Sequence, residues 1–162
     1  MSARLLAIIA ALLLSLPLVP QAVAEDDELV KVVYHADYAD PRRFSAMLTS
    51  INNMVTFYQN ELIDYDVRIV FVAHGIRFLT DDKLESTPFS SDAALEERRS
   101  NLHGRLSTLN SVQEVKLELC DITRTGISLS EDSLYEGVDL IPSGVVRIAE
   151  LQSRGYAYIK IE

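Results

Sequence analysis

The sequence predicts a single α/β domain, one doubly wound layer in which a mostly parallel five-stranded sheet carries helices on both faces. Three observations predict it. β-rich runs alternate along the chain with segments of helical periodicity. The run VRIVFVA at 67–73 is nearly continuous apolar and β-branched, as in a parallel strand covered on both sides. Capping and turn residues fall between these runs, and no repeat, low-complexity tract or internal linker interrupts them.

The elements follow in order. Leu29 to Tyr34, LVKVVY, is the first strand, and the loop HADYAD follows it. Asp40 before Pro41 marks a helix start, with the carboxylate as N-cap and the proline in the first turn. Phe44, Met47, Leu48, Ile51, Met54, Val55 and Tyr58 recur at spacings of three and four, the spacing of one buried helical face. Val67 to Ala73 is the second strand, broken by His74-Gly75. Residues 75–91 are the longest irregular segment and read as a mobile flap or an ordinary surface loop. Ser91 or Asp92 caps a second helix, with Leu95, Leu102, Leu106 and Leu109 on one face. The third strand, Glu114 to Leu119, alternates Val115, Leu117 and Leu119 with Glu114, Lys116 and Glu118, and this period of two implies one solvated or partner-facing side. Ser130 starts a short helix that Gly137 ends, and Val138 to Ile141 form the fourth strand. Ser143 caps a helix through Gln152, Gly155 stops it, and YAYIKI is the fifth strand.

Ahead of this domain, Met1 to Ala24 has one basic residue, Arg4, an apolar run from Leu5 to Leu16, and Ala22-Val23-Ala24 before an acidic cluster. That order is a signal peptide, residues 1–24, with cleavage expected after Ala24 and a periplasmic destination, an uncleaved anchor being the alternative. The run falls short of the roughly 18 apolar residues of a membrane span, and Pro17 and Pro20 follow it. Residues 25–162 have the length of one domain with a real core. The formal charge of the whole chain is −9, and loss of Arg4 leaves the remainder one unit more acidic. Such a surface repels phosphate backbones and anionic lipids, which argues against nucleic acid and, after signal cleavage, against the membrane as partners.

Cys120 is the only cysteine of the 162 residues. Exported domains use cysteines in pairs, so an unpaired one is a reactive thiol, an intermolecular bridge, or a small packed hydrophobe. Its place favours chemistry. In an open α/β sheet, ligands gather beyond the carboxyl ends of the strands. His35 follows the first strand, His74 the second and Cys120 the third, so all three face one edge of the sheet. Residues after Cys120 open a helical turn whose free N–H groups favour thiolate; Arg124 adds positive charge and Asp121 opposes it. An imidazole beside the sulfur would supply the base that activates it, but no spacing brings the rings to the sulfur, and a turn residue bonding backbone is the other reading of each histidine.

Four stretches carry a resemblance over nearly the whole chain after residue 24: VKVVYHAD, VRIVFVAHG, VKLELCDITRTGI and, most specifically, GVDLIPSGVVRIAELQSRGYAYIK. The sequence resembles the DsrE/DsrF-like sulfur-relay family. The resemblance implies a DsrE-like, flavodoxin-like three-layer fold, a homotrimer or homohexamer, and a sulfur carrier or sulfurtransferase whose persulfide-forming cysteine matches Cys120. It further implies a sulfane-sulfur donor and a thiol acceptor as partners, with no cofactor. Its well-understood relays are cytoplasmic, whereas this chain reads as exported. On this reading Cys120, His74 and His35 are the catalytic residues, the histidines moving protons. Two other readings use the same residues. In one, His35, His74 and Cys120, with Asp37 as a fourth donor, bind copper or zinc. In the other, the protein is a non-catalytic assembly or small-ligand module with a packed cysteine.

Overall fold

A computed structural model describes residues 29–162. The segment read as a signal peptide lies outside the described residues. Five strands, β1 (Val30–Ala36), β2 (Tyr65–Phe71), β3 (Lys116–Cys120), β4 (Val138–Ile141) and β5 (Ala157–Ile159), form one sheet in the order β4-β3-β2-β1-β5. Every pairing is parallel, so the sheet is all-parallel rather than mostly parallel.

Helices α1 (Pro41–Asn60) and α2 (Ala93–Ser111) cover one face. Both begin where a carboxylate caps free amides. Asp40 Oδ1 accepts from Arg42 N at 2.8 Å, and Asp92 Oδ1 accepts from Leu95 N at 2.9 Å. Phe44, Met47, Leu48, Ile51 and Val55 of α1 and Leu95, Leu102, Leu106 and Leu109 of α2 are buried against Val32, Tyr34, Ile69, Phe71, Leu117 and Leu119. The opposite face is covered by α4 (Gly144–Ser153), whose Ile148 and Leu151 pack on Val33 and Val70. A short helix α3 (Asp121–Gly126) follows β3 directly. Because β4 to β5 crosses back over the whole sheet, α4 lies on the face that α1 and α2 leave open.

Two irregular segments differ from expectation. The stretch read as a flap begins with a 3₁₀ turn, Ala73–Phe78, and buries Ile76, Phe78, Leu79, Thr80 and Leu84. Phe78 stacks on Phe44 with ring centroids 4.0 Å apart. Thr80 bridges to Leu134, and Tyr135 N donates to Leu79 O at 2.9 Å. The segment is therefore part of the core; its apolar residues follow no regular period, which hides their burial. The short helix expected after Ser130 is only a 3₁₀ turn, Glu131–Ser133.

The charged side of β3 is also not what its alternation implies. Lys116 is exposed, but Glu118 is only 3% exposed. Its carboxylate accepts from Arg68 Nη1 at 2.6 Å and from Arg147 Nε and Nη2, both at 2.7 Å. Arg68 also donates to Asp66, which accepts from Tyr156 Oη at 2.8 Å and Lys116 Nζ at 3.1 Å. Arginines from β2 and α4 of the same chain thus occupy the side expected to face solvent or a partner. A carboxylate buried without such donors costs several kcal/mol.

Burial pushes the Glu118 carboxyl up, but hydrogen bonds from Arg147 and Arg68 outweigh it and hold it below the ordinary value of 4.5. The unfolded chain therefore takes up the proton first as pH falls, and the stabilisation is full above that ordinary range and lost below it. We expect Glu118→Gln to lower stability by about 2–4 kcal/mol at neutral pH, with the gap to wild type narrowing as the pH drops through the glutamate range. Urea unfolding across pH checks this, and a gap that stays constant into acid refutes it.

Candidate functional site

The all-parallel sheet brings the carboxyl ends of all five strands to one edge. His35 is the penultimate residue of β1, His74 lies three residues beyond β2, and Cys120 is the last residue of β3. All three reach the edge where the alternation of strands and helices places them. Cys120 belongs to an interior strand, is 5% exposed, and occupies the N-cap position of α3. Its strand neighbour is Ile141.

Close approaches shape the surroundings of the thiol. A Cβ on Gly144, the first residue of α4, would fall 2.5 Å from Val72 Cγ2 and 3.1 Å from Cys120 Cβ. Only glycine lets the start of this helix sit so near the cysteine. A Cβ on Gly75 would fall 2.1 Å from Ala36 O, so the chain leaving β2 presses on the end of β1 in the same way. Between these points Ala73 adopts φ +48, a left-handed conformation that costs a non-glycine residue about 1 kcal/mol. Its N–H is held by Thr123 Oγ1 at 3.1 Å, which ties the β2 exit to α3.

The three candidate residues share an edge but not a contact network. His35 Nδ1 hydrogen-bonds Tyr158 Oη at 3.0 Å, and its Nε2 lies 3.8 Å from Asp37 Oδ2, which accepts from Lys160 Nζ at 2.8 Å. His74 stands edge-on to Phe89 with ring centroids 5.3 Å apart, and its Nδ1 is buried without a hydrogen-bond partner. Among the described residues, no hydrogen bond joins either imidazole to the Cys120 sulfur. Arg124 does not stand free beside the thiol; it pairs with Asp121 at 2.7 Å and donates to Leu129 O at 2.7 Å. No group of three or more His, Cys, Asp or Glu side chains that could hold a metal ion occurs among the described residues. The metal reading thus lacks the convergence of ligands it requires.

Sequence reasoning missed Arg68, Glu118, Arg147 and Gly144. The available signal was Arg68 itself, a charge inside the apolar run from Val67 to Val72, which demands a buried partner. Around this edge Ile122 of α3 and Val145 and Val146 of α4 are exposed at 63%, 63% and 54%. No helix among the described residues is long and apolar enough to cross a membrane.

The sequence model of the DsrE/DsrF-like family matches residues 27–161. Among solved structures, the chain is similar to MTH1491, a protein of unknown function from Methanobacterium thermoautotrophicum. The two share 26% identity over 81% of this chain and 98% of that one, with a TM-score of 0.61. The YchN protein from E. coli shares the fold, at 19% identity over 82% of this chain and 99% of that one, with a TM-score of 0.53. No curated protein matches the chain.

Burial pushes His35 below its ordinary value of 6.5; Asp37 opposes this and Lys160 adds to it. The ring is therefore neutral at pH 7. As pH falls through 6.5 the unfolded chain protonates first, so His35 costs stability progressively down to its folded value. An NMR titration should show its ring protons moving only below the ordinary histidine range, and a midpoint at or above 6.5 overturns the expectation.

Proposed function

The chain belongs to the DsrE/DsrF-like family, whose role is of the sulfur-relay type, and on that premise we propose a periplasmic sulfur carrier or sulfurtransferase that holds sulfane sulfur as a persulfide on Cys120. The observation that carries this reading is the position of the only thiol, at the carboxyl end of an interior parallel strand and at the start of a helical turn.

The exchange is a pair of nucleophilic displacements without net oxidation. The Cys120 thiolate attacks the outer sulfur of a donor persulfide. The donor S–S bond breaks, a new S–S bond forms on Sγ, and the donor leaves as a thiolate. An acceptor thiolate then attacks the outer sulfur of the Cys120 persulfide, takes it with its proton, and releases the Cys120 thiolate. Atoms and electrons balance without a cofactor. Proton movement is assigned to the histidines of the same edge. Each ring keeps one nitrogen without a hydrogen-bond partner, His74 Nδ1 and His35 Nε2; His74 is favoured because its neighbour Ala73 is tied to α3 through Thr123, while the other nitrogen of His35 is engaged by Tyr158.

Export follows from the signal-like segment at residues 1–24, and a homotrimer or homohexamer lining a cleft over Cys120 completes the proposal. The apolar side chains Ile122, Val145 and Val146 support it, since they flank the thiol and face outward. Such a cleft admits small sulfur species and keeps one folded protein's thiol from another's.

Two measurements test the proposal. After exposure to polysulfide, intact mass should rise by one or more sulfur atoms in wild type and not in Cys120→Ser; no gain, or an equal gain in the variant, sinks the carrier reading. Light scattering on the protein lacking residues 1–24 should give three or six subunits at micromolar concentration, with no Cys120-linked dimer on non-reducing electrophoresis. A monomer there rejects the assembly.

A further inference from the structure

We infer that Glu118, acting through Arg147, is a positioning residue that sets which molecules reach Cys120. The carboxylate fastens the first turn of α4 to the sheet, and Gly144 at the head of that turn forms a wall against the cysteine. The inference rests on the reading of Cys120 as the working thiol.

Three observations carry it. Glu118 precedes Cys120 by two residues on the same face of β3, so the anchor and the thiol share one rigid strand. Arg147 sits one turn into α4 and grips both oxygens of that carboxylate through Nε and Nη2, a paired contact that fixes direction as well as distance. Apart from its short connection to β4, whose Ile141 pairs with Cys120, and the bond from Arg147 N to Ser143 O at 2.9 Å, the first turn of α4 has few side chains to hold it. Ser143 makes no side-chain cap, Val145 and Val146 are largely exposed, and the next buried apolar side chain of the helix is Ile148. Gly144 nevertheless lies in contact with Cys120 and Val72, a close approach that a loosely held turn would not keep. Arg147 is thus the side chain that presses the wall into place, and Glu118 is what it presses against. Arg68 bonds the same carboxylate from β2, so the anchor stays in place when Arg147 alone is altered.

Closed, the wall leaves the sulfur narrow access suited to a linear sulfane-sulfur species. A bulky disulfide needs the first turn of α4 to lift. Glu118 touches no substrate on this account. Its effect is on the size selectivity of the thiol, and that distinguishes it from a residue that only stabilises the fold.

The test compares two thiol reagents on the folded protein: methyl methanethiosulfonate, which is small, and an aromatic disulfide, which is bulky. Arg147→Gln should raise the rate with the aromatic disulfide about tenfold while leaving the small reagent within about twofold, since losing the two charge-assisted bonds to Glu118 frees the turn without unfolding the domain. Arg147→Lys should return the ratio toward wild type. Glu118→Gln should act like Arg147→Gln; should it fail to fold, the Arg147 pair decides alone. An unchanged ratio in Arg147→Gln overturns the inference. So does an equal rise for both reagents, which marks global opening and a merely structural role. Labelling requires no sulfur transfer, so it is separable from the polysulfide experiment. A shifted ratio in a protein that gains no sulfur leaves the wall standing and removes the carrier, and sulfur gain with an unshifted ratio does the reverse.

Discussion

A single buried carboxylate organises the face of the sheet that α4 covers. Glu118 lies among side chains that exclude water, and its charge is tolerable only because guanidinium groups from β2 and α4 both donate to it. Those donors come from elements distant in sequence, so satisfying one oxygen pair fixes three pieces of chain against one another. Asp66 and Tyr156 extend the arrangement by engaging the far side of Arg68. The apolar contacts of Ile148 and Leu151 set α4 roughly over the sheet, and the directional bonds to Glu118 set its rotation and the depth of its first turn.

That constraint explains why an all-parallel sheet can be covered so unequally. On one face, two long helices and the segment around Ile76 and Phe78 bury a continuous apolar core. On the other, the apolar cluster is small, and the area beside it is filled by ionic groups instead of a further helix. A polar filling of this kind holds only when each member is satisfied. It also leaves the outer surfaces of α3 and α4 free to carry apolar side chains such as Ile122 and Val146.

Much of this fold was readable from residues alone, because local rules and the global arrangement agree. Asp40 and Asp92 cap the helices they precede, the apolar face of α1 has the spacing of a buried stripe, and the run through Val67 to Phe71 is a strand covered on both sides. The shared edge of His35, His74 and Cys120 was readable for the same reason, since alternating strands and helices make the strands parallel and bring their carboxyl ends to one edge. Glu118 was misread because a period of two reports which side a residue is on and not what covers that side. Its partners stand 50 and 29 residues away, beyond any local pattern. The packing of 76–84 was hidden because a 3₁₀ turn followed by irregular chain leaves no period to detect. Gly144 was visible only as a helix-start residue; its meaning depends on Val72 and Cys120, which nothing local connects to it.

The strand order carries a further consequence, for time rather than space. β1 is paired on one side with β2 and on the other with β5, so Val32 waits for Ala157 before its second ladder closes. In chain order β3, with Cys120 at its tip, precedes α4, whose first residue packs beside the cysteine, and β5 comes last. The buried setting of the cysteine is thus a property of the complete fold alone, since Gly144 stands 24 positions after Cys120 and β5 comes later still.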